Sequence, residues 1–307
     1  MEKIDLLKVL QESDNTYNTQ SIYCNNAGVE STDLYTKGKF FSSNQLISQL
    51  YLSNFENCYK MGPIIATAEF MDNSTNIISL MENEYKENIK DAIELPHPRK
   101  IRVSLQDALL NRHSSRLFYG EALSKQDLSD FLYYSKGSIK DNIVLLNNIK
   151  IHRHQYTTPS GGGMYSIKLY LVIYKVKGIE PGIYIYQPDS HTLLPYMPVV
   201  PLDSFLITKR YDHKSGDYIS IENFSPSVFI CCVNNFSQER HKYGELSLAA
   251  AYTDCGCIMQ NCGLMAAALN LNFCVWAGFK KREGEKKLKI DGLNNHLIMT
   301  GLLGTGA

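Results

Sequence analysis

Residues 159–174 read PSGGGMYSIKLYLVIY. Three consecutive glycines give backbone that can turn tightly and bring its N–H groups close to a flat ligand or an anion. The run behind them, Ser166 to Tyr174, alternates and is rich in β-branched and aromatic side chains, which predicts a strand. The glycines do not follow the G-x-G-x-x-G order and no helix pattern comes next, so neither a Rossmann turn nor a P-loop is supported. Pro181-Gly182 then opens a second run, GIYIYQ, which Pro188-Asp189 closes, and the two runs read as a long hairpin. Further strands are expected at 227–234, 271–278 and 296–303.

Outward from this hairpin, Ser124-Lys125-Gln126-Asp127 has the form of a capping box, with Leu128, Phe131 and Leu132 following at helical spacing. Leu246 to Leu271 carries a single charged residue, Asp254, among Ala, Leu, Met and Cys. That composition predicts a helix buried on nearly every side, at the centre of a domain or in a subunit interface. It is long enough to span a bilayer. However, Asp254, Gln260, Asn261 and Asn270 would be costly in hydrocarbon, and a strand-like LNFCVWAGF stands where a basic flank belongs, so no membrane span is expected. Residues 1–98 are polar and Asn-rich and end in Pro96-His97-Pro98, which stops a helix and favours an extended connector. The expected division is an N-terminal region, 1–98, and a main domain, 99–307.

A chain of 307 residues with 44% hydrophobic and 20% charged positions is globular rather than disordered or fibrous. Its 31 basic and 31 acidic residues balance, leaving no overall field to attract nucleic acid or an anionic membrane. The N-terminus lacks the pattern of a secretory signal, so the cytoplasm is the expected address and the eight cysteines are expected as thiols. Cys255, Cys257, Cys262 and Cys274 lack the paired spacing of a zinc site; with Cys231 and Cys232 they read as core, and no metal is expected.

Four clusters could carry chemistry. Arg112-His113-Ser114-Ser115-Arg116 offers two guanidinium groups and hydroxyls, suited to a phosphate or a polarised carbonyl edge, though a solvated loop has the same composition. Pro159-Ser160-Gly161-Gly162-Gly163 is the glycine loop, which read alone could be a plain turn. Lys242-Tyr243 precedes the apolar helix, where a lysine stripped of water would serve as a base or simply reach past the boundary to solvent. Trp276-Ala277-Gly278 at a strand end is either core or a wall for a flat ligand.

Taken in order, these clusters resemble the nitroreductase-like flavoproteins, specifically the SagB-type dehydrogenases that include azoline oxidases of thiazole/oxazole-modified peptide biosynthesis. The resemblance covers about residues 108–304. It rests on RHSSRLF for the family's R-x-S-x-R-x-F, PSGGGMYSIKLYLV for its P-S-G-G-x-Y-P strand pattern, the EPGIYIYQPDSHTL hairpin, and IMQNCGLMAAALNL for the Q-N helix. Ser166 stands where the family often has Pro, and Asp254-Cys255-Gly256-Cys257 where it commonly has Glu-x-Gly-His.

The resemblance implies an α+β fold, a mainly antiparallel sheet flanked by helices, and an intertwined homodimer with FMN in its interface clefts, carrying an N-terminal extension. It further implies that Arg112, His113, Ser114 and Arg116 bind the phosphate and ribityl end of FMN. Pro159, Ser160, Gly161, Gly162, Gln260, Ala277 and Gly278 would line its ring. Lys242 and Tyr243 fall where the family's azoline oxidases carry a catalytic Lys-Tyr pair. The expected partners are a ribosomal precursor peptide and a cyclodehydratase or other modifying enzyme. Azoline oxidation is the first reading, NAD(P)H-driven reduction of an alkene, nitro or quinone group the second, and a non-catalytic FMN-binding subunit the third.

Overall fold

The computed structural model describes residues 87–306 apart from 147–148, 207–208, 213–216 and 221–223, together with 51–52, 69, 73, 75 and 76. Most of the expected N-terminal region, 1–98, lies outside the described residues. The chain forms two compact units, Met1–Asn73 with Arg240–Ser247, and Ser74–Glu239 with Leu248–Ala307.

The larger unit is built on an antiparallel sheet. Its strands are β1 (Ile93–Glu94), β5 (Ile167–Ile173), β6 (Gly182–Gln187), β7 (Thr192–Pro198), β11 (Val228–Asn235), β12 (Asn272–Trp276) and β13 (Asn295–Gly304). Their order is β1-β7-β6-β5-β11-β13-β12, and every pairing is antiparallel. The expected hairpin is β5 with β6, joined in register at Leu171 and Tyr184. The strands expected at 227–234, 271–278 and 296–303 are β11, β12 and β13. Two small hairpins, β3 (Ser138–Leu146) with β4 (Ile149–Tyr156) and β8 (Lys209–Asp212) with β9 (Asp217–Ser220), stand apart from this sheet, as does the short parallel pair β2 (Phe118–Tyr119) and β10 (Phe224–Ser225).

Strands apolar at nearly every position need cover on both faces, and β11 has it. Val228, Ile230 and Cys232 point into one core with Leu171, Phe131, Cys255 and Met259, whereas Phe229, Cys231 and Val233 point into the other with Val172, Phe205 and Leu302. Burying a residue such as Phe229 contributes about 2–3 kcal/mol.

Two helices close the first core. Helix α2 (Lys125–Lys136) begins where the capping box predicts, Ser124 accepting from the Asp127 N–H. Helix α4 (Ser247–Ala268) is the expected apolar helix. It is preceded by α1 (Leu105–Asn111) and α3 (Phe236–Tyr243) and followed by α5 (Lys281–Lys287). Gly244, at φ +54°, separates α3 from α4. The connector after Pro98 is held to α2 by Arg99, which donates to Asp130 at 2.6 Å and to Asp127 at 2.5 Å.

Helix α4 departs from the expectation in one respect. Ala251, Cys255, Ile258, Met259, Cys262 and Ala266 are buried, but Leu248, Tyr252, Gly256 and Gln260, each four residues apart, form an exposed stripe. Apolar residues on all sides of a helix look the same in sequence whether one side meets the chain's own core or not. The thiols of Cys231, Cys232, Cys255, Cys262 and Cys274 are free and buried, in the core role the sequence assigned, whereas Cys257, assigned to the core with them, is half-buried because it sits toward the exposed side of α4. Among the described residues no helix is long and apolar enough to cross a membrane.

Candidate functional site

The arginine loop follows α1 directly. Arg112 ends that helix, its N–H donating to the Ala108 carbonyl at 3.0 Å. The loop then runs alongside β12: the Ser115 N–H donates to the Phe273 carbonyl at 3.0 Å, and Asn272 Nδ2 donates to the Leu117 carbonyl at 2.8 Å. Arg116 lies beside the Cys274 thiol, where its charge opposes the upward push of burial on that group. The Arg112 stem crosses Gly263 of α4 so closely that a Cβ there would meet its Cγ and Cδ at 3.4 Å. His113 Nδ1 pairs with the Asn111 carbonyl at 3.0 Å. His113, Ser114 and Arg116 are exposed, whereas Arg112 is half-buried.

The glycine loop rests on the same helix. Ser160 Oγ donates to Asp254 Oδ2, and the Gly161 N–H donates to Asp254 Oδ1 at 3.2 Å. Ser160 Oγ also accepts from the Tyr165 N–H at 2.8 Å. Gly162 (φ +58°) and Gly163 (φ +67°) are left-handed, a conformation that glycine adopts without a Cβ clash. One turn before the loop, Asn261 Nδ2 donates to the Thr157 carbonyl at 3.2 Å. Thus α4 carries the glycine loop at Asp254 and the arginine loop at Gly263, about 13 Å apart along its axis at 1.5 Å per residue. Gln260 is exposed on the helix between them.

Ala277 and Gly278 are exposed at the end of β12, where Trp276 Nε1 donates to the Gly278 carbonyl at 3.2 Å. Strand β12 therefore joins this segment to the arginine loop. Lys242 and Tyr243 belong to the other compact unit. There Lys242 is 8% exposed and its Nζ lies 5.1 Å from the centre of the Tyr243 ring.

Sequence reasoning passed over a second group of residues around the glycine loop. Burial raises the Asp254 carboxyl above its ordinary range, against the hydrogen bonds from Ser160 and Gly161 and the charge of Lys136. Glu239 is fully buried; its Oε2 accepts from Asn234 Nδ2 at 3.0 Å and from Ser166 Oγ at 3.2 Å. Burial pushes it up to about 7, with those two bonds opposing and Asp254 adding to the rise. A cavity of about 180 Å³ lies next to the loop, lined in part by Lys136, Tyr156, Tyr165, Tyr186 and Gln238. The one signal in the sequence was Asp254 itself, an isolated charge in an apolar helix, which a partner must compensate.

A sequence profile of the nitroreductase family matches residues 109–306. A nitroreductase-type protein of Methanocaldococcus jannaschii is 25% identical over 207 residues, which cover 65% of this chain and 91% of that protein. A crystal structure of a nitroreductase-type protein from Ralstonia eutropha JMP134 is similar at a TM-score of 0.55 and 20% identity, over 73% of this chain and 93% of that one. The E. coli microcin synthetase McbBCD complex with truncated pro-MccB17 bound has a chain similar at a TM-score of 0.48 and 21% identity, over 78% of this chain and 86% of that one.

Proposed function

The chain belongs to the nitroreductase family, whose members are FMN-using oxidoreductases, and from that premise we propose that it oxidises azolines to azoles in a ribosomally made peptide. The observation that carries this reading is the Lys242-Tyr243 pair, a buried lysine against its neighbour's ring, which by the resemblance corresponds to the Lys-Tyr pair of SagB-type dehydrogenases.

The residues fit FMN. Two arginines and a serine on one loop provide charge-assisted and hydroxyl donors for a phosphate, and left-handed glycines with no side chains leave room for a flat ring beside the backbone. Arg112, His113, Ser114 and Arg116 would hold the phosphate and ribityl end. Pro159, Ser160, Gly161, Gly162, Gln260, Ala277 and Gly278 would line the ring. When bound, FMN supplies a two-electron acceptor that oxygen regenerates. Aromatising a thiazoline also requires that the Cα proton leave. Lys242 would take that proton at its buried Nζ, and Tyr243 would orient the lysine or the substrate.

The active form is a homodimer. Its support is the exposed stripe on α4 together with Leu105, Leu109 and Leu110 of α1, all exposed. The substrate is a precursor peptide, with a cyclodehydratase or another modifying enzyme as a working partner, since an azoline must be made before it is oxidised. A second reading is NAD(P)H-driven reduction of a peptide dehydroamino acid or of a nitro or quinone compound, and the nitroreductase name of the M. jannaschii relative favours the nitro compound. Lys242 separates the two, because only the oxidation needs a base there. Lys242→Ala should keep its bound flavin and lose azoline oxidation by about 10²-fold or more, and Tyr243→Phe should lose less. Oxidation at the wild-type rate by both variants would end the first reading.

A further inference from the structure

We propose that Asp254 is a positioning residue for the flavin, fixing through Ser160 and Gly161 the loop that would line the flavin ring. The inference rests on the FMN reading above and assigns a role that the arginine and glycine clusters leave open.

A carboxylate inside an apolar helix is expensive, and it persists only where its partners repay the lost hydration. Asp254 is 5% exposed and is the only charged residue between Leu246 and Leu271. Both of its oxygens are committed to the glycine loop. Oδ2 takes the Ser160 hydroxyl and Oδ1 takes the adjacent Gly161 N–H. One rigid planar group thereby grips a side-chain donor and a backbone donor on consecutive residues, which sets the loop's direction as well as its distance from α4.

The hold extends further along the loop. Ser160 Oγ, while donating to Asp254, accepts from the Tyr165 N–H at 2.8 Å. Tyr165 has φ +47°, a left-handed conformation that is uncommon and costly for a residue with a Cβ. Between Ser160 and Tyr165 lie two left-handed glycines, whose backbone has many alternatives once the restraint is removed. Asp254, Ser160 and Tyr165 thus form a chain of hydrogen bonds that holds the loop in a shape it would not keep alone. An amide replaces the carboxylate poorly: with its oxygen on the Gly161 N–H, its Nδ2 meets Ser160 Oγ as a donor, and the Ser160 hydroxyl loses the acceptor that fixes it.

The test compares Asp254→Asn, Ser160→Ala, the double variant and Asp254→Glu with wild type. It measures FMN affinity by flavin fluorescence, the midpoint potential of the bound flavin, and hydrogen exchange of the amides of residues 161–165 in flavin-free protein. Asp254→Asn and Ser160→Ala should each weaken FMN about tenfold, the loss of one charge-assisted hydrogen bond. The double variant should be no worse than the poorer single, both should shift the midpoint potential in the same direction, and Asp254→Glu should recover part of the affinity. Exchange should quicken over 161–165 and stay slow along α4. Wild-type affinity and potential in Asp254→Asn would overturn the proposal, as would exchange that rises equally along all of α4. Should Asp254→Asn fail to fold, Ser160→Ala decides by the same measures, since it cuts the link from the loop side. Wild type that takes up no FMN would overturn the functional reading itself. Wild type that binds FMN beside unaffected variants would overturn only the role of Asp254.

Discussion

Glu239 shows how one buried side chain makes the stability of the molecule depend on pH. Its Oε1 has no hydrogen-bond partner among the described residues, and nor does Oδ1 of Asn234. Two buried acceptors without donors are costly, and a proton on Glu239 relieves the first of them. The folded protein keeps that proton up to about 7, against 4.5 for a carboxyl in water. Between those values the folded state binds more protons than the unfolded state, so this residue's contribution to stability falls as pH rises through the window. Glu239→Gln is neutral throughout and escapes that loss. Its melting temperature relative to wild type should therefore climb as pH goes from about 5 to about 8. A difference between the two proteins that stayed constant across that range would show that Glu239 holds no proton near neutral pH. Asp254 and Glu239 were both visible as letters in the sequence, but their burial and their bonds to residues some seventy to ninety positions away were not.

The elements that could be read from sequence are those whose own residues demand one environment. Strand β5, IKLYLVI, is apolar and β-branched at almost every position, and α2 begins on a capping box. Three others gave no such signal. Helix α1, LQDALLN, is too short to display a period. Helix α5, KREGEKK, has no apolar stripe and depends on local pairing of Lys281 with Glu285 and on close packing of Gly284, where a Cβ would meet Leu297 at 2.9 Å. The β3–β4 hairpin mixes Lys140, Asp141 and Asn142 with an apolar run, without clean alternation. Helix α4 was legible as a helix, yet its exposed stripe was not. Leu248 and Tyr252 are 38% and 47% exposed, and in the proposed homodimer a second copy would cover them. Wild type should sediment as a dimer, and Tyr252→Glu, which places a charge in the stripe without touching the core, should sediment as a folded monomer. A flavin-bound wild-type monomer at micromolar concentration would remove the dimer from the proposal.

At the level of the whole molecule, long-range contact is what the sequence concealed. The arginine loop, the glycine loop and the Trp276 segment are far apart in the chain, and helix α4 with strand β12 is the frame they share. The order of the motifs pointed to the family, but the order alone does not reveal that the glycine loop meets α4 at Asp254 and the arginine loop at Gly263. The direction of electron flow has a direct test. A thiazoline-containing precursor peptide is incubated in air with the flavin-loaded protein and no NAD(P)H, and the product is weighed by mass spectrometry. Azoline oxidation predicts a peptide lighter by two hydrogens for each ring converted. A peptide unchanged under those conditions, and heavier by two hydrogens once NAD(P)H is added, would contradict it.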